Sequence, residues 1–486
     1  MKHYFSVSEL EECVEVALRR LVPHLRESIQ RKRPVVAYGH LTNVREELRS
    51  FGSIAKGGMS IERFEAFLTW YLNHTVFMQH PHYMALQGAV PHHLAAVGDF
   101  VKGIGNCDGA VYELGPATVA MELEIINWML SLVGWPEGDG LLTHGGTLGN
   151  LTALLSARAR ACPEAWSEGV PGSLAVLVPK STHYSVARAV AILGMGSRAV
   201  AEIPVDARDV LRPESLEDAL GAAHDDGRRV IALVANASTT VTGMYDPLEE
   251  VGHFCREHEI WFHVDGAHGA AAIVSERTRR LMKGIELADS LVWDGHKMLQ
   301  TSGLCTAVLY RDSAWCAATF SQEQSYLDPS VNPERPNLYE RTFECTKGAL
   351  SLKLYPVLTV LGEEGIAAHV EKLYDRTASF YRLISGQPGF ECPYEPESNV
   401  LCFRYLVGAD VEGVLGVEAN SAVDELQRHI RAELLESEQF QISLAELEGR
   451  AYLKLVIMNP RTDESVIIEL LGQIEQIAAS ATSTTH

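Results

Sequence analysis

The chain has 486 residues, 47% of them hydrophobic and 21% charged, which is ample for a large buried core and for more than one structural unit. A formal charge of −22 argues against the basic footprint with which proteins neutralise nucleic-acid phosphates or anionic lipid, so the expected ligand is a small molecule, with no nucleic acid and no membrane. Nine scattered cysteines with no CxxC pair read as reduced, mostly packed thiols.

The first residues, MKHYFSVSELEECV, lack the apolar core of a signal peptide, and no later run reaches the roughly 20 apolar residues that span a bilayer. The expected compartment is the cytoplasm. From Ser8 the chain reads S-E-L-E, a capping-box pattern, followed by Leu10, Val14, Leu18, Leu21 and Leu25 along one helical face. Such an arm, within residues 1–95, must bury its stripe on its own body or on a second subunit, and a dimer is favoured. A second helix is expected from Ala117 to Val133, stopped by Gly134.

Between about 140 and 311, short apolar runs alternate with helical stretches. Leu174–Val178, Val230–Ala235, Ile260–Val264, Leu291–Trp293 and Cys305–Tyr310 read as buried strands. Between two of them, Asp246 is the expected N-cap of a helix with Pro247 at its first position. This alternation predicts an α/β fold with a mostly parallel sheet covered by helices on both faces, spanning a large domain over 96–358. From 359 to 486 the rhythm of helix, strands and helix predicts a smaller C-terminal α+β domain.

In an open α/β sheet, ligands bind beyond the carboxyl ends of the strands. Asp265 closes the run IWFHVDGAHGA, and alone it reads equally as a turn aspartate. Lys297 follows another buried run in ADSLVWDGHKML, beside His296, in surroundings apolar enough to desolvate an amine. A strand-end aspartate and a lysine in one sheet are the two groups pyridoxal 5′-phosphate (PLP) requires, one for the ring nitrogen and one for the Schiff base. GLLTHGGTLGNLTALL offers a phosphate site: Gly145 and Gly146 allow close approach of an anion, and Thr147 is the expected cap of the next helix. His183, in VPKSTHYSV, is placed to lie flat on a conjugated ring or simply to pack in a βα loop. His80, His82, His92 and His93 match no metal-ligand spacing, and no metal is expected.

From about residue 70 to the end, the chain resembles the PLP-dependent group II amino acid decarboxylases. The stretches that carry the resemblance are VYELGPATVAMELEIINWM, GGTLGNLTALLSAR, STHYSV, TTVTGMYDPLEEV, IWFHVDGAHGAAA, GIELADSLVWDGHKML and LVIMNPRT, in the family's order. The resemblance implies an aspartate-aminotransferase-type (fold type I) homodimer with active sites at the subunit boundary. It implies that Lys297 carries PLP, Asp265 keeps the ring nitrogen protonated, His183 stacks on the ring and Ala267 supports the other face. Gly146, Thr147 and His296 would contact the phosphate, with Ser302 and Gly303 as helpers from the partner subunit, and Thr240 would lie close to the cofactor. A loop tyrosine, Tyr339 with Tyr326 as rival, would return the proton to Cα.

One position departs from the family pattern. Many members carry an arginine for a substrate carboxylate where YLKLVIMNPRT has Lys454, which keeps the charge and loses the bidentate fork; nearby Arg461 is the alternative. WDGHKML and GAHGAAA resemble the acidic-amino-acid branch, so the expected substrate is aspartate, glutamate or cysteine sulfinate. An aromatic, aliphatic or diamino substrate stays open, as do aminotransferase and lyase chemistry on the same fold. His268, beside the cofactor aspartate, either touches the ring or packs.

Overall fold

The computed structural model describes residues 6–320, 335–406 and 417–483. They fall into two compact units that do not follow the chain linearly. One holds Gln87–Tyr381 and Pro393–Cys402; the other holds Met1–Leu86, Arg382–Cys392 and Phe403–His486. The boundaries expected from sequence, 1–95, 96–358 and 359–486, cut the chain in order, whereas here N- and C-terminal segments share a unit.

The larger unit is built on seven strands: β1 (Asp139–Thr143), β2 (Leu174–Pro179), β3 (Val200–Ile203), β4 (Arg229–Asn236), β5 (Trp261–Asp265), β6 (Ser290–Asp294) and β7 (Thr306–Tyr310). Their order is β1-β7-β6-β5-β4-β2-β3. β2 through β6 pair in parallel, and β7 runs antiparallel to both β1 and β6. All five expected strands are present, within a residue or so of their expected bounds; β1 and β3 were not foreseen. β3 is short and half-exposed at the sheet edge, so its apolar signal is weak.

The central strands are buried on both faces. Leu291, Val292 and Trp293 are fully inaccessible, and each such side chain contributes about 1.5–3 kcal/mol by leaving water. Helix Pro116–Val133 packs on β1 and ends at Gly134 in the left-handed region, as expected. By length and composition it is apolar enough to cross a bilayer, but it buries Glu122, whose carboxylate pairs with the equally buried Lys347. An ion pair enclosed by protein marks it as a core helix.

The helix after β4 is Leu248–Glu257, capped by Pro247 rather than by Asp246. Asp246 turns inward, where its carboxylate accepts from the backbone N–H of Leu211 and from the backbone and side-chain N–H groups of Asn236. Burial nevertheless pushes its pKa up to about 6.

The smaller unit holds most of a four-stranded sheet, β8 (Phe390–Glu391), β9 (Val400–Tyr405, from Phe403 onward), β10 (Ser443–Leu447) and β11 (Arg450–Val456), in the order β10-β11-β9-β8. Helix Val417–Glu436 packs on β11 and on helix Glu464–Ser483. Arg404 is fully buried there, donating to Asp424 at 2.7 Å. The first helix is Val7–Ile29, and its cap is Ser6, not Ser8: the Ser6 hydroxyl accepts from the Glu9 N–H at 3.2 Å. The expected stripe flanks the buried line rather than forming it. Val16, His24 and Ser28 are buried, whereas Leu18 is 52% exposed.

Burial also pushes imidazoles down to about 4: His24 and His80 in this unit, His263 and His369 in the other. The unfolded value lies near about 6.5. Below it the unfolded chain binds protons that the native state refuses, so stability present above pH 6.5 is lost progressively as pH falls towards about 4. The melting temperature is therefore expected to drop between pH 7 and pH 5. A flat profile there would contradict the burial of these rings.

Candidate active site

The parallel strands deliver a set of polar side chains to one edge of the sheet. β5 ends at Asp265 and β6 at Asp294, while the segments after β1, β2 and β4 carry His144–Thr147, His183, and Ser238 and Thr240. These residues line a single pocket, together with Gln87, Asn150, Ser185, Asn236, Ala267, His268, His296, Lys297 and Leu304. Eight expected cofactor residues are thus brought together: Gly146, Thr147, His183, Thr240, Asp265, Ala267, His296 and Lys297.

Three lysines of this unit are wholly or largely buried, and their surroundings separate them. Lys347 is locked to Glu122. Lys353 donates to the Gly303 carbonyl at 3.1 Å, and burial lowers its pKa against the opposing pull of Asp99. Lys297 lines the pocket with its side chain 18% exposed and its Nζ 3.3 Å from Asp294 Oδ2. Asp294 is 2% exposed, accepts from Thr306 Oγ1 at 2.5 Å and lies 3.5 Å from His296 Nε2. His296 Nδ1 lies 2.8 Å from the Cys305 carbonyl and 3.2 Å from the Cys305 N–H.

Asp265 is buried, and both its oxygens are held. Oδ2 accepts from Asn150 Nδ2 at 2.8 Å and Oδ1 from the Ala267 N–H at 3.2 Å. His183 Nδ1 accepts from the Ser185 N–H at 3.3 Å, which leaves the proton of a neutral ring on Nε2. Burial lowers its pKa, the charge of Asp265 opposing, so the imidazole is neutral at pH 7.

Helix Gly146–Ala161 opens at the pocket. Its N-cap is Gly145, at φ 98 where a side chain would be strained, and no side chain caps it. Thr147 is therefore inside the first turn and not its cap. The amides of Leu148 and Gly149 bond back to the Gly145 carbonyl, while those of Gly146 and Thr147 make no hydrogen bond among the described residues. Two free amides at a helix N-terminus suit an anion. Ser238 adds a buried hydroxyl with no hydrogen-bond partner among the described residues at the same pocket. An amine, an enclosed carboxylate, a flat neutral imidazole and an uncapped helix end are the donor set PLP needs, so the pocket fits it.

Sequence comparison agrees with this chemistry. The profile of the pyridoxal-dependent decarboxylase conserved domain matches residues 64–406. The chain belongs to the pyridoxal-dependent decarboxylase family. It is 30% identical over 372 residues to the cysteine sulfinic acid decarboxylase of Homo sapiens, covering 74% of this chain and 73% of that one. To the acidic amino acid decarboxylase GADL1 of Mus musculus it is 29% identical over 378 residues, covering 75% and 68%. Among solved structures, mouse CSAD superposes with a TM-score of 0.90 at 24% identity, covering 96% of this chain and 98% of that one. Oryza sativa TDC with PLP and tryptamine gives 0.90 at 21%, covering 99% and 100%. The fold is accordingly fold type I, and the chain is a PLP-dependent amino acid decarboxylase.

Several other expected residues do not line this chain's own pocket. Ser302 donates to Asp99, Gly303 serves Lys353, and neither lines the pocket. Tyr339 is buried in the turn Leu338–Arg341, where its backbone N–H bonds the Ala110 carbonyl, and it does not line the pocket either. Tyr326 lies outside the described residues. Lys454 belongs to the smaller unit, buried on β11 opposite Ser443, and Arg461 is exposed beyond that strand. His268 lines the pocket with Nε2 2.7 Å from Asn399 Oδ1. His80 and His82 bond backbone carbonyls, of Arg33 and Gln439, and His92 caps helix His93–Gly105.

Sequence reasoning missed Asn150, Ser185, Ser238 and Asp294. Two of them had a signal. Asn150 follows Gly146 by four residues, one helical turn along the same face, and Asp294 ends SLVWD as Asp265 ends WFHVD.

Proposed function

We propose that this decarboxylase acts on an acidic amino acid, aspartate, glutamate or cysteine sulfinate, as a cytoplasmic homodimer. The observation that carries the assignment of roles is the pocket itself. Lys297 and Asp265 line one cavity at the carboxyl ends of neighbouring strands, with the uncapped helix end beside them. The names of the relatives support an acidic substrate. A dimer is supported by helix His93–Gly105, on which Val97, Phe100, Val101 and Ile104 form one apolar face, each 48–55% exposed.

PLP, when bound, supplies an aldehyde for an amine and a conjugated ring that takes up the electrons left at Cα as carbon dioxide departs. The protein does the rest. Lys297 would be the amine that carries the cofactor, and Asp294 Oδ2, 3.3 Å from its Nζ, is placed to accept the proton that the amine sheds. Asp265, held at both oxygens, would face the ring nitrogen and keep a proton there. His183 would lie against the ring as a neutral imidazole, adding no charge to oppose the one Asp265 would stabilise. The amides of Gly146 and Thr147 would take the phosphate, with His296 close by, and Thr240 and Ala267 complete the wall.

The experiment is mass spectrometry of products after incubating the PLP-loaded protein with acidic, aromatic, aliphatic and diamino acids. Loss of carbon dioxide from an acidic member supports the proposal, and turnover confined to another class overturns the substrate assignment. That Lys454 takes the substrate's side-chain acid rests on the motif YLKLVIMNPRT. Lys454→Ala is then expected to raise KM for that substrate by about 10-fold or more, the worth of one charge-assisted hydrogen bond, with kcat less affected. An unchanged KM would place the carboxylate elsewhere.

A further inference from the structure

Behind the pocket wall runs a line of buried hydrogen bonds that the proposed mechanism does not use. Trp261 Nε1 donates to Ser290 Oγ at 2.8 Å, and Ser290 Oγ lies 2.9 Å from His263 Nδ1. His263 Nε2 is 3.0 Å from Asn150 Oδ1, and Asn150 Nδ2 donates to Asp265 Oδ2 at 2.8 Å and to Ser185 Oγ at 2.9 Å. From Trp261 to Asn150 and Ser185, every side chain is at most 1% exposed.

The direction of each bond can be worked out from Asp265 outwards. An ionised carboxylate only accepts, so Asn150 must turn its NH2 group towards it and its oxygen towards His263. That oxygen only accepts, so His263 Nε2 carries a proton. Burial pushes the ring's pKa down to about 4 and keeps it neutral at pH 7, which makes Nδ1 an acceptor from the Ser290 hydroxyl. The Trp261 N–H, which can only donate, occupies the Ser290 oxygen from the other side.

The two N–H arms of Asn150 serve two different pocket groups. One holds Asp265. The other reaches Ser185, whose Oγ is 2.8 Å from His183 Nδ1. We propose that His263 and Asn150 form a positioning unit: His263 fixes the direction of the Asn150 amide, and that amide holds the Asp265 carboxylate and, through Ser185, the His183 imidazole in the geometry the cofactor ring requires. Were the amide to turn over, its oxygen would face the carboxylate, two acceptors in a buried site. His263 is the group that prevents this, although it does not line the pocket. The inference rests on the assignment of Asp265 to the ring nitrogen.

The test measures PLP affinity by equilibrium dialysis of the apo-protein across a range of pH, with no substrate present. His263→Leu removes the donor that fixes the Asn150 amide, so the Asp265 carboxylate loses the hydrogen bond that only a correctly turned amide gives it. Affinity is expected to fall about 10-fold or more, the worth of a hydrogen bond to a charged group, and the acid limb of the affinity profile to move to higher pH. His263→Gln, which retains an N–H donor, is expected to restore most of the affinity and the position of the limb. Should His263→Leu fail to fold, Ser290→Ala removes the hydroxyl that sets the tautomer and is expected to move the limb in the same direction by less. A lower melting temperature with an unmoved limb, or equal effects of Gln and Leu, would overturn the proposal. Asp265→Asn is the control for the reading beneath it: the limb should disappear, and its persistence would show that Asp265 does not govern binding at all.

Discussion

Replacing Lys297 by alanine is expected to abolish decarboxylation, with kcat falling by about 10³-fold or more, as when the covalent group of an enzyme is removed. The visible absorbance of the cofactor-loaded protein should vanish with it. Fold loss is not the expected cause. Lys297 is partly exposed to the pocket, and Asp294, its one close ionic partner among the described residues, keeps its bond from Thr306 Oγ1 and the neighbouring His296 in the variant. Circular dichroism and the melting temperature should therefore change little while activity disappears. Retained visible absorbance would show that another lysine carries the cofactor. The other two candidates make poor replacements, because Lys347 is enclosed with Glu122 and Lys353 is turned to Gly303 and Asp99.

Asp265→Asn should be almost as damaging to kcat, by about 10²–10³-fold, the usual consequence of removing a preorganised electrostatic partner from a dry site. The asparagine keeps the shape and loses the charge. It also places an amide where Asn150 now donates, so one of the two buried amides must turn or leave an N–H without an acceptor. The change should appear in kcat more than in KM, because a charge on the ring matters most when electrons from Cα flow into it. A variant with wild-type kcat would remove Asp265 from the reaction.

Much of this site was legible because its residues follow strands that are buried on both faces. WFHVD and LVWD read as strands from composition alone, and the rule that ligands sit at carboxyl ends then singles out Asp265 and Lys297. What stayed hidden depends on direction rather than on pattern. Ser6 and Ser8 both precede a helical stripe, and only the first turn's geometry selects Ser6. Asp246 has the spacing of a cap, yet bonds to Asn236 and Leu211 draw it inward. Thr147 looked like the cap of its helix, whereas an uncapped start at Gly145 leaves amides free for an anion. Asn150 was invisible for a different reason. An asparagine within a helix carries no signal until its partners, His263 and Asp265, are brought to it by strands more than a hundred residues away. Tyr339 was carried by resemblance alone, and its place in a buried turn reflects a bond to Ala110 that no local pattern announces.

The central claim is that Lys297 holds PLP in this pocket, and borohydride reduction followed by peptide mapping tests it most directly. The purified wild-type protein, loaded with PLP, is reduced, digested and sequenced by mass spectrometry. The account predicts the added pyridoxyl phosphate mass on the lysine of VWDGHKML and on no other peptide in stoichiometric amount. Stoichiometric label on Lys353, Lys347 or any other lysine, or a protein that binds PLP without being labelled at all, would contradict it.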